Sequence, residues 1–537
     1  MVGVRGAGGG FARIIPSLSL SFSILVALNV RALRSDVFGI IVDWRASLVR
    51  EGRALTALCL ALCLSGCAAF RSYDKELTQT TNLAGAGKVD DAIKQLNKDN
   101  SSKNKDLLYY LELGMLERFV ARFPDSQTAW KSADQTVQEW ARLAQTDPSK
   151  LLPGAASYIV NDKVRPYEGH DYEKVMLLTY IALNYLAMGQ YDNARVAIKQ
   201  THELEAVISD LRSKETQRVQ QEASKEGART NFRELNGYPV QTIDNPAVNA
   251  LKNSYQSALS HYLAGFVYES LDEPSLAAPG YRLAIELQPN QPLLDEALRG
   301  LDQRVSAPDD GLTDVLFVIG QGTAPALQSK SFPLPVPVNR TLILVPVSFP
   351  VMKATSTPFM PKELTVDDGQ ATPVAPITNI DLMARRALKD DMPGIMLRGA
   401  IRSATKAATQ YALMHQSQQK NSGLLALAGL AVMAAGVATE SADERTWRTL
   451  PAEIGIARVR LPPGNHTIAL QTPQGMRKIQ VNLSGRYTVV GLRMVRGQLF
   501  LQAPEGGLPR AESAETGAGA QPSTGDGPPA LEQQPHN

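Results

Sequence analysis

The chain has 537 residues and a nearly balanced charge, with 55 Lys and Arg against 53 Asp and Glu. This balance argues against nucleic-acid binding, which calls for a basic excess. All three cysteines, Cys59, Cys63 and Cys67, lie near the start of the chain. Because no cysteine follows Cys67, the rest of the chain can hold no disulfide, thiolate metal site or cysteine nucleophile. Its length is sufficient for two or three domains.

The cysteines belong to a stretch with the composition of a secretion signal. Arg50 and Arg53 precede an apolar run over residues 54–64, which Leu64-Ser65-Gly66-Cys67 closes. A basic start, a short apolar core and small residues before the cut define such signals. The motif resembles the lipobox of bacterial lipoproteins, in which the cysteine receives the lipid. We therefore predict that Cys67 is lipidated. The two alanines that follow it resemble the sequence of lipoproteins sent to the outer membrane.

Residues 1–66 are interpreted as a leader that the mature protein lacks. The first 48 residues are attributed to a start codon placed too early, with initiation near Val49; a second membrane segment over residues 14–30 is the alternative. The leader contains seven Lys and Arg and three Asp and Glu, which leaves 48 and 50 for the mature chain. The mature chain is therefore expected to carry a formal charge of −2.

Residues 67–304 are predicted to form a helical repeat domain. Six residues fall at relative offsets 0, 3, 12, 16, 19 and 24, namely Gly265, Tyr268, Ala277, Tyr281, Ala284 and Pro289. These are the offsets of the tetratricopeptide repeat, a helix-turn-helix of about 34 residues. Small residues let the two helices approach each other, the tyrosines fill the space between them, and proline ends the second helix.

A second copy of this pattern starts at Ala182 and continues through Tyr185, Gly189, Tyr191, Ala194 and Ile198. A third, degenerate unit is expected around Gly87 and Ala92, followed by helix around Gly114. Between the two clear copies, residues 203–232 are dense in charged and amide side chains and predict a long exposed helix, which Asn236-Gly237 and Pro239 then end.

Residues 305–502 are predicted to form a β-rich domain with a helical insertion over 377–440, so the fold class is α+β. The runs 315–319 and 341–345 are β-branched and apolar, as in buried strands, and the alternating prolines over 332–337 require an extended chain between them. Within the insertion, one helix is predicted over 377–389 and a second over 393–420, with Pro393 at its start. Strands are expected from 450 onward, and residues 503–537 are predicted to be a disordered tail.

Two parts of the insertion are candidates for contact with a membrane or a partner. Arg398, Arg402 and Lys406 recur every four residues and so line one helix face. This pattern fits a solvated basic face or, alternatively, binding to anionic lipid head groups or an acidic partner. Residues 423–438 contain no charged or hydroxyl side chain. A helix of that length spans about 24 Å, less than the ~30 Å hydrocarbon core of a bilayer, which fits a buried helix or, alternatively, a membrane-inserting or oligomerising one.

The stretch Asp443-Glu444-Arg445-Thr446-Trp447-Arg448 carries a further resemblance. Together with the repeat around Gly265 and the segment 315–325, it resembles a family of uncharacterised proteobacterial lipoproteins with tetratricopeptide-like helices. The resemblance implies location in the cell envelope and supplies no catalytic residues. Trp447 between arginines fits stacking on a sugar or, alternatively, an anchor between helices and sheet.

No motif in the chain predicts an enzyme. Gly320-Gln321-Gly322 lacks the third glycine of a dinucleotide-binding loop, and the histidines show no metal-binding spacing. We therefore predict no catalytic site, cofactor or metal. Two hypotheses remain: a lipid-anchored periplasmic scaffold of the outer membrane that binds an envelope protein in its repeat groove, and a component of an export assembly that inserts or oligomerises through 423–438.

Overall fold

The computed structural model describes residues 72–151, 162–338, 341–354, 359–420 and 440–509, all of which belong to one compact unit. Residues 1–71, which include Cys67, lie outside the described residues, as do 423–438 and 510–537. The predictions made for them therefore stay predictions. Among the described residues, no helix is both long enough and apolar enough to cross a bilayer.

The first part of the described chain is built from helices that pair as antiparallel hairpins. Their bounds, in chain order, are Tyr73–Gly85 (α1), Val89–Asp99 (α2), Leu107–Phe119 (α3), Phe123–Thr146 (α4), Asp171–Ala187 (α5), Tyr191–Glu226 (α6), Pro246–Ala250 (α7), Ala258–Ser270 (α8), Pro274–Leu287 (α9), Pro292–Arg299 (α10) and Leu301–Ser306 (α11).

Glycine permits the closest approach within two of these hairpins. A Cβ atom added to Gly265 in α8 would lie 2.5 Å from the ring of Tyr281 in α9, and one added to Gly114 would lie 2.3 Å from the indole nitrogen of Trp130. The remaining predicted packing residues take corresponding places: Ala182, Ala194, Ala277 and Ala284 are buried, Tyr185 and Tyr268 pack at the edge of the core, Gly189 turns between α5 and α6 with positive φ, and Pro289 follows the end of α9.

The strands form two stacked sheets and a separate hairpin. One sheet has the order β11-β10-β1-β7-β6, with β1 parallel to β10 and the other neighbours antiparallel; the other sheet is antiparallel with the order β5-β4-β8-β9. The bounds are Thr313–Gln321 (β1), Leu327–Val338 (β2), Thr341–Met352 (β3), Glu363–Val366 (β4), Ala371–Pro373 (β5), Ala375–Asn379 (β6), Glu453–Leu461 (β7), Gly464–Thr472 (β8), Gly475–Leu483 (β9), Tyr487–Val495 (β10) and Gln498–Gln502 (β11).

The larger sheet lies between the helices and the smaller sheet. Val315, Phe317 and Ile319 of β1 face the smaller sheet, whereas Leu316 and Val318 join the core of the helices. The central strand β1 is accordingly buried at every position. This explains why its sequence is a continuous apolar run rather than an alternating one.

Strands β2 and β3 pair with each other in a hairpin that contains five prolines. Pro333 pairs with Pro346, and the other three prolines occupy pairs of the same parity. Antiparallel pairs alternate between hydrogen-bonded and non-hydrogen-bonded, and proline has no N–H to donate. We therefore infer that all five lie at non-hydrogen-bonded pairs, where proline removes no bond from the ladder.

The predicted pair of helices around Pro393 is wrong, because one helix, Ile380–Lys420 (α12), runs through this proline. Residues 377–379 belong to strand β6 instead. Proline in a helix costs ~3 kcal/mol, and burial of Met392, Ile395 and Met396 on both sides of it offsets that loss. The helix packs on the β2–β3 hairpin and on α6.

The predicted start of the disordered tail is also wrong. The backbone N–H of Glu505 donates to the carbonyl of Ala187 at 2.7 Å, and that of Leu508 donates to Tyr487 at 2.8 Å. Residues 503–509 are therefore held between the end of α5 and strand β10. Composition predicted disorder here because it does not register such backbone contacts.

Candidate functional site

The inner helices of the hairpins, which we expected to line an open groove, are covered by this chain itself. In α5 only Tyr185 is not buried, and α8 is buried at every position except Tyr268. Strands β6 and β10 contact these helices. The predicted concave surface is thus part of the core and not available to a partner.

Residues 440–450, which we call the inserted segment, occupy the inner face of α3 and α5. Glu173 of α5 accepts a hydrogen bond from the backbone N–H of Trp447 at 2.7 Å. Glu112 of α3 accepts from the N–H groups of Arg448 and Thr449 at 2.6 and 3.2 Å. Two buried carboxylates therefore hold three successive backbone amides, at the start of a turn over residues 448–450, by charge-assisted hydrogen bonds.

Trp447 fills the centre of this contact. Its side chain is fully buried, with ring centroids 6.0 Å from Trp130 and 6.3 Å from Tyr180. The indole N–H donates to the hydroxyl of Thr449 at 3.1 Å. Of the two roles considered for Trp447, the structure thus confirms the anchor between helices and sheet, and burial rules out stacking on a sugar.

Burial also perturbs the charged groups around the inserted segment. It raises the pKa of Glu112 to about 7, against hydrogen bonds from Thr449 and Arg448 that lower it. It lowers the pKa of Arg118 and of Arg493 to about 10. Arg493 donates to the carbonyl of Thr449 at 3.1 Å and so joins the segment to strand β10.

The predicted basic face of Arg398, Arg402 and Lys406 is not a solvated or lipid-binding surface. Arg398 and Arg402 lie 3.1 and 3.4 Å from the carboxylate of Asp162, and Arg402 and Lys406 form ion pairs with Glu440. The Arg402 side chain is only 4% exposed. The three basic residues do share one helix face, but carboxylates that are distant in the sequence neutralise their charges.

A charged cleft of about 220 Å³ lies between α4, α5, α6 and α12. Arg212 of α6 forms ion pairs with Asp171 of α5, with Glu215, and with Asp391 of α12 at 2.5 Å. Although burial alone would raise the pKa of Asp171, Arg212 and Lys174 lower it to about 2. The Lys174 ammonium also lies 3.8 Å from the ring centroid of Trp140. These ion pairs connect helices α5, α6 and α12.

A larger groove of about 790 Å³ opens on the other side of that cluster, between α6 and α12. Arg212, Glu215 and Asp391 line both cavities. The walls combine apolar and neutral polar side chains with further charged ones. They include Val219, Phe232, Tyr255, Pro393, Ser213, Gln217, Gln220, Arg233, Arg386, Lys389 and Asp390. Since Pro393 has no N–H, the carbonyl of Lys389 one turn earlier lacks its helical donor beside the groove.

The sequence did not indicate this groove because its two walls are about 170 residues apart in the chain. The charged stretch 203–232 was a usable signal, since the second half of α6 is largely exposed as predicted. The sequence did not predict that α12 lies beside the second half of α6.

Two histidines that are distant in sequence also meet. The rings of His202 and His261 stack with centroids 5.1 Å apart, and Glu205 lies 3.3 Å from His261. Burial and the neighbouring His261 lower the pKa of His202. No group of three or more His, Cys, Asp or Glu in the described part of the chain has the geometry of a metal site.

Comparison with known proteins adds no family to this picture. No protein-family model matches the chain, no curated protein is detectably similar to it, and no solved structure matches its fold.

Proposed function

We propose that this protein is a non-enzymatic adaptor, anchored by a lipid on Cys67 at the periplasmic face of the outer membrane, that binds an envelope protein. The anchor and the location are supported by Leu64-Ser65-Gly66-Cys67 and by the residues around it. Multiple acyl chains hold a protein on a bilayer durably, whereas one does so marginally.

The helical hairpins support a tetratricopeptide-like interpretation of this adaptor. The spacing that begins at Gly265 falls on two packed helices, with Gly265 against Tyr281 as this repeat requires. The inserted segment occupies the inner face as a peptide ligand would. The array thus has the chemistry to hold backbone amides of another segment, but its own chain already fills that place.

We therefore assign partner binding to the groove between α6 and α12. This groove is the observation that carries the proposal, because it is open, lies between the two longest described helices and combines apolar, neutral polar and charged groups. The charged groups that line it form ion pairs within the chain. Such walls suit an amphipathic peptide segment that places apolar side chains between two helices.

Site-specific crosslinking in cells tests the groove. A photoreactive residue at Gln220, which lines the groove, is expected to give a discrete adduct, and a second substitution, Gln217→Trp, should abolish it by filling the groove. The matched control is the same photoreactive residue at Gln145, an exposed position on α4. Adducts that are equal at both positions, or that persist with Gln217→Trp, would contradict the assignment.

The anchor has an independent test. Metabolic labelling with an alkyne analogue of palmitate should mark the wild-type chain, and Cys67→Ala should remove the label. A labelled Cys67→Ala variant would refute lipidation at this residue without bearing on the groove.

A further inference from the structure

Two histidines and a glutamate from distant parts of the chain meet where α6 packs on α8. The rings of His202 in α6 and His261 in α8 are stacked at an angle of 19°, with centroids 5.1 Å apart. Glu205, one turn after His202, lies beside His261, and the side chains of His261 and Glu205 are only 1% and 6% exposed. We call these three residues the histidine cluster.

Several polar atoms of the histidine cluster are buried without a hydrogen bond. Within the described part of the chain, no group is hydrogen-bonded to either ring nitrogen of His261, to Nε2 of His202 or to Oε1 of Glu205. Although Oε2 of Glu205 lies 3.3 Å from Nε2 of His261, the two atoms are not aligned for a hydrogen bond. Buried polar atoms are ordinarily hydrogen-bonded, and unpaired ones cost stability. Since apolar side chains would pack here at lower cost, the cluster calls for a role other than packing.

The charges around the cluster leave it one carboxylate. Among the described residues, only His261 and Glu205 act electrostatically on the protonation of His202. The next carboxylate, Glu286 of α9, is already paired: its ion pair with Lys252 at 2.6 Å lowers its pKa, and His261 does so to a smaller extent.

The other elements packed on α8 present neutral groups next to His261. The hydroxyl of Thr179 in α5 lies 2.8 Å from that of Ser260. The hydroxyl of Thr378 in β6 accepts from the N–H of Leu259 at 3.0 Å. Neither element therefore supplies a second negative charge for the cluster.

The cluster can hold one proton on its two rings more easily than two. One imidazolium is balanced by the Glu205 carboxylate, whereas a second would stand 5.1 Å from the first. At that distance two like charges repel by about five times RT in a medium of effective dielectric constant ~20. In agreement, burial and then the neighbouring His261 lower the pKa of His202 below its ordinary value of 6.5. The stability that neutral His202 contributes is therefore present above pH 6.5 and lost as the pH falls below it.

We propose that the histidine cluster is a pH-sensitive contact, which holds α6 on α8 near neutral pH and releases the two helices when a second proton enters on acidification. None of its residues lines the groove between α6 and α12. The proposal is thus independent of partner binding in that groove and of a lipid on Cys67.

Hydrogen exchange of the α8 amides in the full protein tests this contact, at about pH 7.5 and about pH 5.5 and corrected for the intrinsic pH dependence of exchange. An open-state histidine with the ordinary pKa of 6.5 is about 90% protonated at the lower pH, which limits the loss of protection to about tenfold. We expect a loss of roughly three- to tenfold in the parent. His202→Gln, which removes the titrating ring, should reduce the change to less than about twofold.

Two variants separate this role from a merely structural one. Glu205→Gln removes the carboxylate that balances the first proton, so it should make the loss on acidification larger than in the parent. The matched control, His415→Gln, removes an exposed histidine of α12 and should respond as the parent does. Glu112 titrates alike in all these proteins, so its contribution cancels in the comparison.

The proposal would be overturned by equal protection of α8 in the parent at both pH values, or by a His202→Gln variant as sensitive to pH as the parent. A Glu205→Gln variant no more sensitive than the parent would overturn it as well. Titration of the His202 ring signals by NMR in the unaltered protein needs no variant to fold. The ring should titrate below pH 6.5, and titration at or above that value would contradict the proposal.

Discussion

Replacing Trp447 by alanine should release the inserted segment from the helices. An aromatic side chain of this size buries about 150–250 Å². At ~25 cal/mol per Å², full burial of Trp447 contributes about 4–6 kcal/mol. Measured Trp→Ala losses in protein cores are about 3–5 kcal/mol. We therefore expect a loss of about 4 kcal/mol.

Hydrogen exchange can locate this loss. The amides of Trp447, Arg448 and Thr449 are hydrogen-bonded to Glu173 and Glu112, so they exchange only when the segment opens. A loss of about 4 kcal/mol lowers the protection of these amides roughly a thousandfold. If opening is local, the amides of α8, on the other side of the helical array, keep their protection.

The conservative variant Trp447→Phe distinguishes the contribution of aromatic packing from that of full side-chain volume and the indole hydrogen bond. It keeps an aromatic ring between Trp130 and Tyr180 and loses volume and the hydrogen bond to Thr449, so we expect a loss of about 1–2 kcal/mol. A change of less than threefold in the protection of the three amides on Trp447→Ala would show that Trp447 does not hold the segment in place. Equal losses for the alanine and phenylalanine variants would contradict the contribution of aromatic packing.

Three further predictions concern stability, measured by chemical unfolding. The folded pKa of Glu112, about 7, lies above its ordinary value of 4.5, so the folded state holds the extra proton between these values. Stability should therefore fall as pH rises through this window, by at most about 3 kcal/mol, and Glu112→Gln should flatten that dependence. Arg402→Ala should lose about 1.5–3 kcal/mol, because it removes one of the two basic partners of both Asp162 and Glu440, whereas Lys406→Ala, which removes a side chain that is 36% exposed, should lose about 1 kcal/mol or less; equal losses would contradict the burial difference. Gly265→Ala should lower the free energy of unfolding by about 1–3 kcal/mol, because the added methyl group meets the ring of Tyr281. An unchanged unfolding midpoint would show that α8 and α9 can move apart without loss of stability.

Much of the secondary structure could be predicted from the sequence because the relevant interactions are local. The spacing from Gly265 to Pro289 located two helices and their turn, and β-branched runs located β1 and β3. Local rules failed where distant packing outweighed them. Pro393 ordinarily begins or breaks a helix, yet α12 continues through it because Met392 before it and Ile395 and Met396 after it are buried.

The candidate site was less predictable because its parts are far apart in the chain. A row of three basic residues looked like a surface until Asp162 and Glu440 were found beside it. The inner face of the helical array was expected to be open. No sequence pattern in residues 440–450 predicts that they pack against it.

The sequence by itself determined the α+β class of this protein and the helices on either side of the turn after Ser270, and it predicts a lipid anchor at Cys67. These properties depend on side-chain type and on separations of a few residues, which the sequence states directly. Only the tertiary structure decided which surfaces are free. Burial depends on which distant segments meet, and here Trp447 packs into the inner face of the helical array while α6 and α12 form a separate groove.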